Sequence, residues 1–168
     1  QAPEFAIEAG KGRPPQQPEV EKTSFNLALK NVKRRDGLLT FGPGKVVLEE
    51  SLELPEGFDV RFAPGLDLQL GADVYLILHG DLEAIGTAVR PIRVGGTGGR
   101  RDWGALAVQG TRSAPSRVQL EFVRIRGGKG GSNERTWFTT PFAVHDGVVT
   151  LRENRFVDAL ADDGINLK

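Results

Sequence analysis

The residues best suited to chemistry lie near the C-terminal end of the chain, where Asp158, Asp162, Asp163 and Asn166 fall within one short stretch. Carboxylates gathered at one corner can bind Ca²⁺ through hard oxygen ligands, or act as acid and base on a glycosidic bond. Asp158, Asp162 and Asp163 are therefore the candidate metal ligands, and Asp162 and Asp163 the carboxylates to weigh for catalysis. Asp162-Asp163-Gly164 also reads as a turn whose aspartates cap local backbone N–H groups, the commoner role for such a sequence. His145-Asp146 sets an imidazole beside a carboxylate, a pairing that general bases use. Neighbours on a strand point to opposite faces, however, so these two are not expected to touch. His79 precedes Gly80 in a different context, which argues against a shared two-histidine metal site.

Trp103 and Trp137, the two tryptophans, each flank a glycine run: Gly95-Gly96-Thr97-Gly98-Gly99 and Gly127-Gly128-Lys129-Gly130-Gly131. An exposed indole is a platform on which a sugar ring can stack. The competing expectation is that each indole plugs the gap where a loop leaves the fold, since large aromatics are buried on average. Neither glycine run makes a phosphate loop: the first lacks the following Lys-Ser/Thr, and no helical pattern succeeds it. Arg100, Arg101, Arg112, Arg117, Arg124 and Arg126 form a locally basic stretch. At period two, Arg124 and Arg126 share a strand face and can meet uronate carboxylates or sulfate, although a solvated sheet surface needs nothing more. Trp103, Trp137, Arg124, Arg126 and Asn166 are thus the candidate ligand-binding residues.

The elements that carry these residues are strands. Short alternating apolar runs recur at Val46-Val47-Leu48, Leu52-Glu53-Leu54, Val60-Arg61-Phe62, Leu66 to Leu70 and Val74 to Leu78. They are divided by Pro55-Glu56-Gly57, Ala63-Pro64-Gly65 and Gly71-Ala72-Asp73, which are turn sequences. A helix needs about ten residues with apolar positions at i, i+3 and i+4, and no segment offers that pattern. Residues 1–22, with Pro3, Pro14, Pro15 and Pro18, are expected to form a tether or surface strap. Residues 23–45 are expected to hold an N-terminal strand cap, with strands over Phe25-Leu27-Leu29 and Leu38 to Phe41. For most of the chain no Asn-Gly or Asp-Gly stands at hairpin spacing, which weighs against a sandwich.

An internal repeat decides the architecture. Val118, Leu120 and Ile125 align with Val149, Leu151 and Phe156, while Ala105 to Val108, Pro141 to Val144 and Gly164 to Leu167 read as one strand on successive turns. Phe142 to Ile165 is then one coil of roughly 20–25 residues in a solenoid. The previous coil is longer by the glycine-rich insertion. The expected fold is an all-β, right-handed parallel β-helix over residues 46–168, with its last coil still open at Lys168. The sequence Gly147 to Phe156, followed by Ala161 to Leu167, resembles the right-handed parallel β-helix repeats of the pectate-lyase-like superfamily. It is most similar to extracellular β-helix regions found beside spore-coat-type kinase domains. That resemblance implies the fold and a secreted, periplasmic or cell-surface location.

Composition narrows the partners. The 22 basic and 22 acidic residues cancel, leaving no general attraction to nucleic acid or anionic lipid. No apolar run approaches the roughly 20 residues of a membrane span. Cys is absent, which removes disulfides, thiolate metal sites and cysteine nucleophiles. A chain that opens Gln1-Ala2-Pro3 and contains no Met is expected to be a processed or excised segment. Three functions remain. The first is a non-catalytic scaffold that binds carbohydrate or a protein partner. The second is the N-terminal part of a polysaccharide lyase or glycoside hydrolase, and the third a unit that self-associates or is covered by another polypeptide at its open coil.

Overall fold

The computed structural model describes residues 28–132 and 136–168. The Pro-rich segment 1–22 and the expected strand positions Phe25 and Leu27 lie outside the described residues.

Strand β1 (Val32–Arg35) and strand β2 (Leu38–Phe41) form an antiparallel hairpin. Asp36-Gly37 is its two-residue turn, with Asp36 in the left-handed region at φ 52°. The hairpin lies within residues 23–45, where a cap is expected; Leu29, expected in a strand, lies outside any strand, and an Asp-Gly turn joins β1 to β2. From β2 onward the pairing of the main sheets is parallel. The first coil is β2, β3 (Gly44–Leu48) and β4 (Leu52–Glu53); the second is β5 (Asp59–Phe62), β6 (Leu66–Leu70) and β7 (Leu76–Leu78). The third is β8 (Leu82–Ile85), β9 (Ile92–Gly96) and β10 (Leu106–Gln109), with a 3₁₀ turn at Thr97–Gly99. The fourth runs β11 (Ser116–Glu121), β12 (Val123–Arg126), a small hairpin of β13 (Gly131–Ser132) and β14 (Trp137–Phe138), then β15 (Phe142–His145). The fifth is β16 (Gly147–Arg152), β17 (Arg155–Val157) and β18 (Ile165–Leu167).

Each coil gives one strand to each of three sheets: β2-β5-β8-β11-β16, β3-β6-β9-β12-β17 and β4-β7-β10-β15-β18. The chain is a parallel β-helix, and its parallel register begins at Leu38 rather than Val46. The repeat read from the sequence is the register of the fold. Val118 pairs with Val149, Leu120 with Leu151, Ile125 with Phe156, and Leu106, Phe142 and Ile165 follow one another on successive coils.

Alternation explains the core. Inward residues stack coil on coil, as in Leu39-Val60-Leu82-Val118-Val149 and Val46-Leu68-Val94-Ile125-Phe156. Members of coils one to four in these stacks are at most 2% exposed, and burial of each side chain contributes about 1.5–3 kcal/mol. Phe41 and Phe62 meet edge to face at 5.5 Å. Polar side chains fix the corners. Asp59 Oδ1 accepts the N–H of Asp81 at 2.9 Å, and Asp81 Oδ1 accepts that of Arg117 at 2.7 Å. Asn154 bridges coils four and five, accepting from Val123 N at 2.9 Å and donating to Leu120 O at 2.8 Å. Among the described residues no helix is long and apolar enough to cross a membrane.

Candidate functional site

The glycine-rich excursion of coil four builds the site. Gly128, Lys129 and Gly130 donate their N–H groups to the carbonyls of Arg101, Trp103 and Gly104, so the loop runs along the third coil before turning back. Gly128 sits at φ 87°, where a Cβ would collide with Pro141 and come within 2.9 Å of the Trp103 ring. Gly131, at φ 113°, leaves space that the Tyr75 hydroxyl fills. Only glycine meets both demands.

Beyond the loop, Phe138 lies on the outer face of the third sheet. That face is apolar, and small at the right places: Ala105, Ala107 and Ala143, with Ile77 and Tyr75, form a second buried cluster around Phe138. The rings of Tyr75 and Phe138 are 6.1 Å apart. Tyr75 donates its hydroxyl to Gly130 O at 3.1 Å. Burial, reinforced by the nearby Asp73 charge, raises the Tyr75 pKa and keeps the phenol neutral for that bond. With Phe138 buried, alternation turns its neighbour Trp137 outward, 66% exposed.

Trp137 stands at a cleft of about 490 Å³ that is also lined by Tyr75, Asp73, Lys129, Thr139, Leu160 and Asp162. The volume falls in the range of small-molecule sites. Lys129 Nζ lies 2.6 Å from Asp73, whose carboxylate holds the lysine above its usual pKa. Thr139 Oγ1 accepts a bond from Asn166 Nδ2 at 2.7 Å. The cleft thus offers one bare indole, the apolar Leu160 and a rim of carboxylate, ammonium and hydroxyl groups.

Of the residues singled out in the sequence, Trp137, Asp162 and, through Thr139, Asn166 come together here. The others do not. Trp103 is fully buried and donates Nε1–H to Arg126 O at 3.0 Å; it is a core plug, and its indole offers no face to a ligand. Asp158 is drawn to Arg126, at 2.9 Å, and Asp163 is exposed away from the cleft lining. Among the described residues no three His, Asp or Glu side chains are grouped to hold a metal ion, so Asp158, Asp162 and Asp163 do not form the expected ligand set. His145 lies behind the site, its ring 6.0 Å from Phe138. Burial first, then the charge of Lys168, lowers its pKa, with Asp146 opposing. His79 instead bonds Glu53 at 2.8 Å. Arg124 and Arg126 do share an exposed face, on the second sheet.

Tyr75, Asp73, Lys129 and Leu160 were not singled out from sequence. The signal for Lys129 and Tyr75 was present: a cation inside a glycine run, and the lone tyrosine of the chain. A larger hollow of about 570 Å³ lies on the outer face of the first sheet. Of its charges, Arg61 is held by Glu83 at 2.6 Å and Asp59 and Asp81 accept backbone N–H groups, which leaves Arg117 as the other charged side chain of the lining.

No protein family, curated protein or solved structure matches this chain.

Proposed function

We propose that this protein is a non-catalytic β-helix scaffold, secreted or displayed at a cell surface, that binds carbohydrate in the Trp137 cleft. The observation that carries the reading is the exposed indole of Trp137 held at the edge of a polar-rimmed cleft by the buried ring of Phe138. Among the described residues the indole is the largest hydrophobic side chain left exposed. Sugars present C–H faces that stack on an indole and hydroxyls that bond Asp162, Thr139 and the Asp73–Lys129 pair. The similarity of the repeats to the pectate-lyase-like superfamily supports the extracellular assignment and is part of the proposal.

Tryptophan fluorescence tests it. Trp103 is buried and Trp137 is the other tryptophan, so a glycan that enters the cleft should change the emission of Trp137 and protect it from a soluble quencher. A panel of neutral and uronate oligosaccharides is titrated by fluorescence against the parent chain and by calorimetry, which needs no indole, against the parent chain, Trp137→Phe and Trp137→Ala. Binding should weaken in Trp137→Phe and vanish in Trp137→Ala, with no release of reducing ends from any polymer. A Trp137→Ala chain that binds the same glycans undiminished would sink the reading.

A further inference from the structure

On the outer face of the second sheet, five side chains stand in register, one per coil: Lys45, Asp67, Arg93, Arg124 and Arg155. Coils repeat about every 4.7–4.9 Å, so Arg93, Arg124 and Arg155 make an exposed column of like charge at that spacing. Like charges directly opposite one another weaken strand pairing. None of the three forms an ion pair among the described residues. Asp67, the acidic member of the row, accepts a bond from Gln69 at 3.0 Å. Beside the column, Arg126 is neutralised by Asp158, and Gly95 leaves the face flat. Against Arg124 and Arg155 lies a hollow of about 300 Å³, with Pro91 and Phe122 as apolar wall and Glu153 as acceptor.

We propose that this face binds a linear sulfated polysaccharide, laid along the stack with sulfates on the arginine column and a sugar ring in the hollow. A planar carboxylate is satisfied by the fork of one guanidinium. A tetrahedral sulfate, with three terminal oxygens, can accept from guanidiniums on two successive coils and so screen the repulsion between them. The ring in the hollow has Phe122 to pack on and Glu153 to take a hydroxyl. Single-stranded nucleic acid is disfavoured because it stacks successive bases on aromatic rings, and the row beside the column (Val47, Gln69, Gly95, Arg126, Val157) adds no ring to Phe122. The column is on a different sheet from the Trp137 cleft, and the proposal does not depend on that site.

The experiment measures affinity of the full chain for dextran sulfate, with unmodified dextran as the uncharged backbone. Polygalacturonate, oligodeoxythymidylate and phosphatidylserine vesicles are the competing anions. Dextran sulfate should bind, weaken steeply with added salt, and outcompete the other three. Arg124→Gln and Arg155→Gln should each weaken it about tenfold, the loss expected for one charge-assisted hydrogen bond. Arg124→Lys should fall between. Arg117→Gln, on the first sheet, should leave dextran sulfate binding unchanged, which separates the column from basic side chains on the other faces. Circular dichroism checks that each variant keeps its β signature. Undiminished binding in the folded Arg124→Gln, Arg155→Gln double variant, or insensitivity to salt, overturns the proposal. Equal or tighter binding of polygalacturonate, oligodeoxythymidylate or the vesicles overturns the sulfate assignment in favour of that class.

Discussion

Phe138→Ala tests how the candidate cleft is held in place. Phe138 is 1% exposed, and truncating a fully buried phenyl ring costs about 3–5 kcal/mol. Part of that, about 0.5–1.5 kcal/mol, belongs to its ring contact with Tyr75 at 6.1 Å. The cost does not fall on the solenoid. Phe138 belongs to the outer cluster with Tyr75, Ile77 and three alanines, separate from the stacked core inside the coils. Its loss leaves the Tyr75–Gly130 bond, about 0.5–1.5 kcal/mol net, and the backbone bonds of Lys129 and Gly130 to hold the excursion. Global destabilisation is capped at the free energy with which the excursion docks, whereas local opening takes the full loss. About 3 kcal/mol corresponds to an open population raised more than about a hundredfold. Amide exchange at Trp137, Phe138 and Thr139 should therefore accelerate by at least that factor, while Val118 and Leu120 keep their protection. Thermal unfolding should shift less than for Leu120→Ala, which removes a residue of the main stack at a cost of about 2–5 kcal/mol. Glycan binding at Trp137 should be lost. Unchanged exchange at residues 137–139, or intact glycan binding, would show that Phe138 is not the anchor.

Three other perturbations bear on the same framework. Gly128→Ala puts a side chain at φ 87° against Pro141 and Trp103, and should cost about 1–3 kcal/mol by chemical denaturation; a neutral effect would mean the loop lies elsewhere. Asn154→Ala leaves Val123 N and Leu120 O without their bridging partner and should cost about 1–3 kcal/mol, while Asn154→Asp, which can still accept from Val123, should cost less. The fold lowers the pKa of His145, so the unfolded chain binds its proton first on acidification. That contribution to stability is complete above about pH 6.5 and erodes as pH falls through the lowered folded value. His145→Gln should flatten the acid side of a melting-temperature profile, and identical slopes in the two chains would refute the assignment.

The stacked core was legible because its signal is local and repeated. Val118, Leu120 and Ile125 and their partners Val149, Leu151 and Phe156 are apolar for one reason, coverage by the next coil, and the same alternation writes both sequences. The N-terminal hairpin was missed although Asp36-Gly37 is a strong turn signal, because β1 (Val-Lys-Arg-Arg) shows no apolar alternation to mark it as a strand. β1 lies at the edge of the first sheet, held by its pairing with β2, by Val32 against the core and by Arg34 over the Phe58 ring. Trp103 and Trp137 carried the same sequence signature, a tryptophan beside a glycine run, and took opposite fates. Trp103 enters the third coil just where the later excursion crosses it, so its burial depends on Gly127 and Gly128 one coil further on. Nothing near position 103 records that.

Residues that share a function in a solenoid are spaced by a whole coil in sequence, and insertions such as residues 127–140 change that spacing. Inward rows survive this because each position must be apolar whatever its register. Outward rows have no such constraint. Arg93, Arg124 and Arg155 look unrelated along the chain and become a column once β9, β12 and β17 are paired. Asp73 and Lys129 likewise meet across coils two and four, bridged by the returning loop. The same division separates stability from binding: inward stacks carry the core, while Trp137 and the arginines stand on outer faces whose substitution leaves the rungs in place. A parallel β-helix can therefore carry two independent ligand surfaces on different sheets without either compromising the stack beneath it.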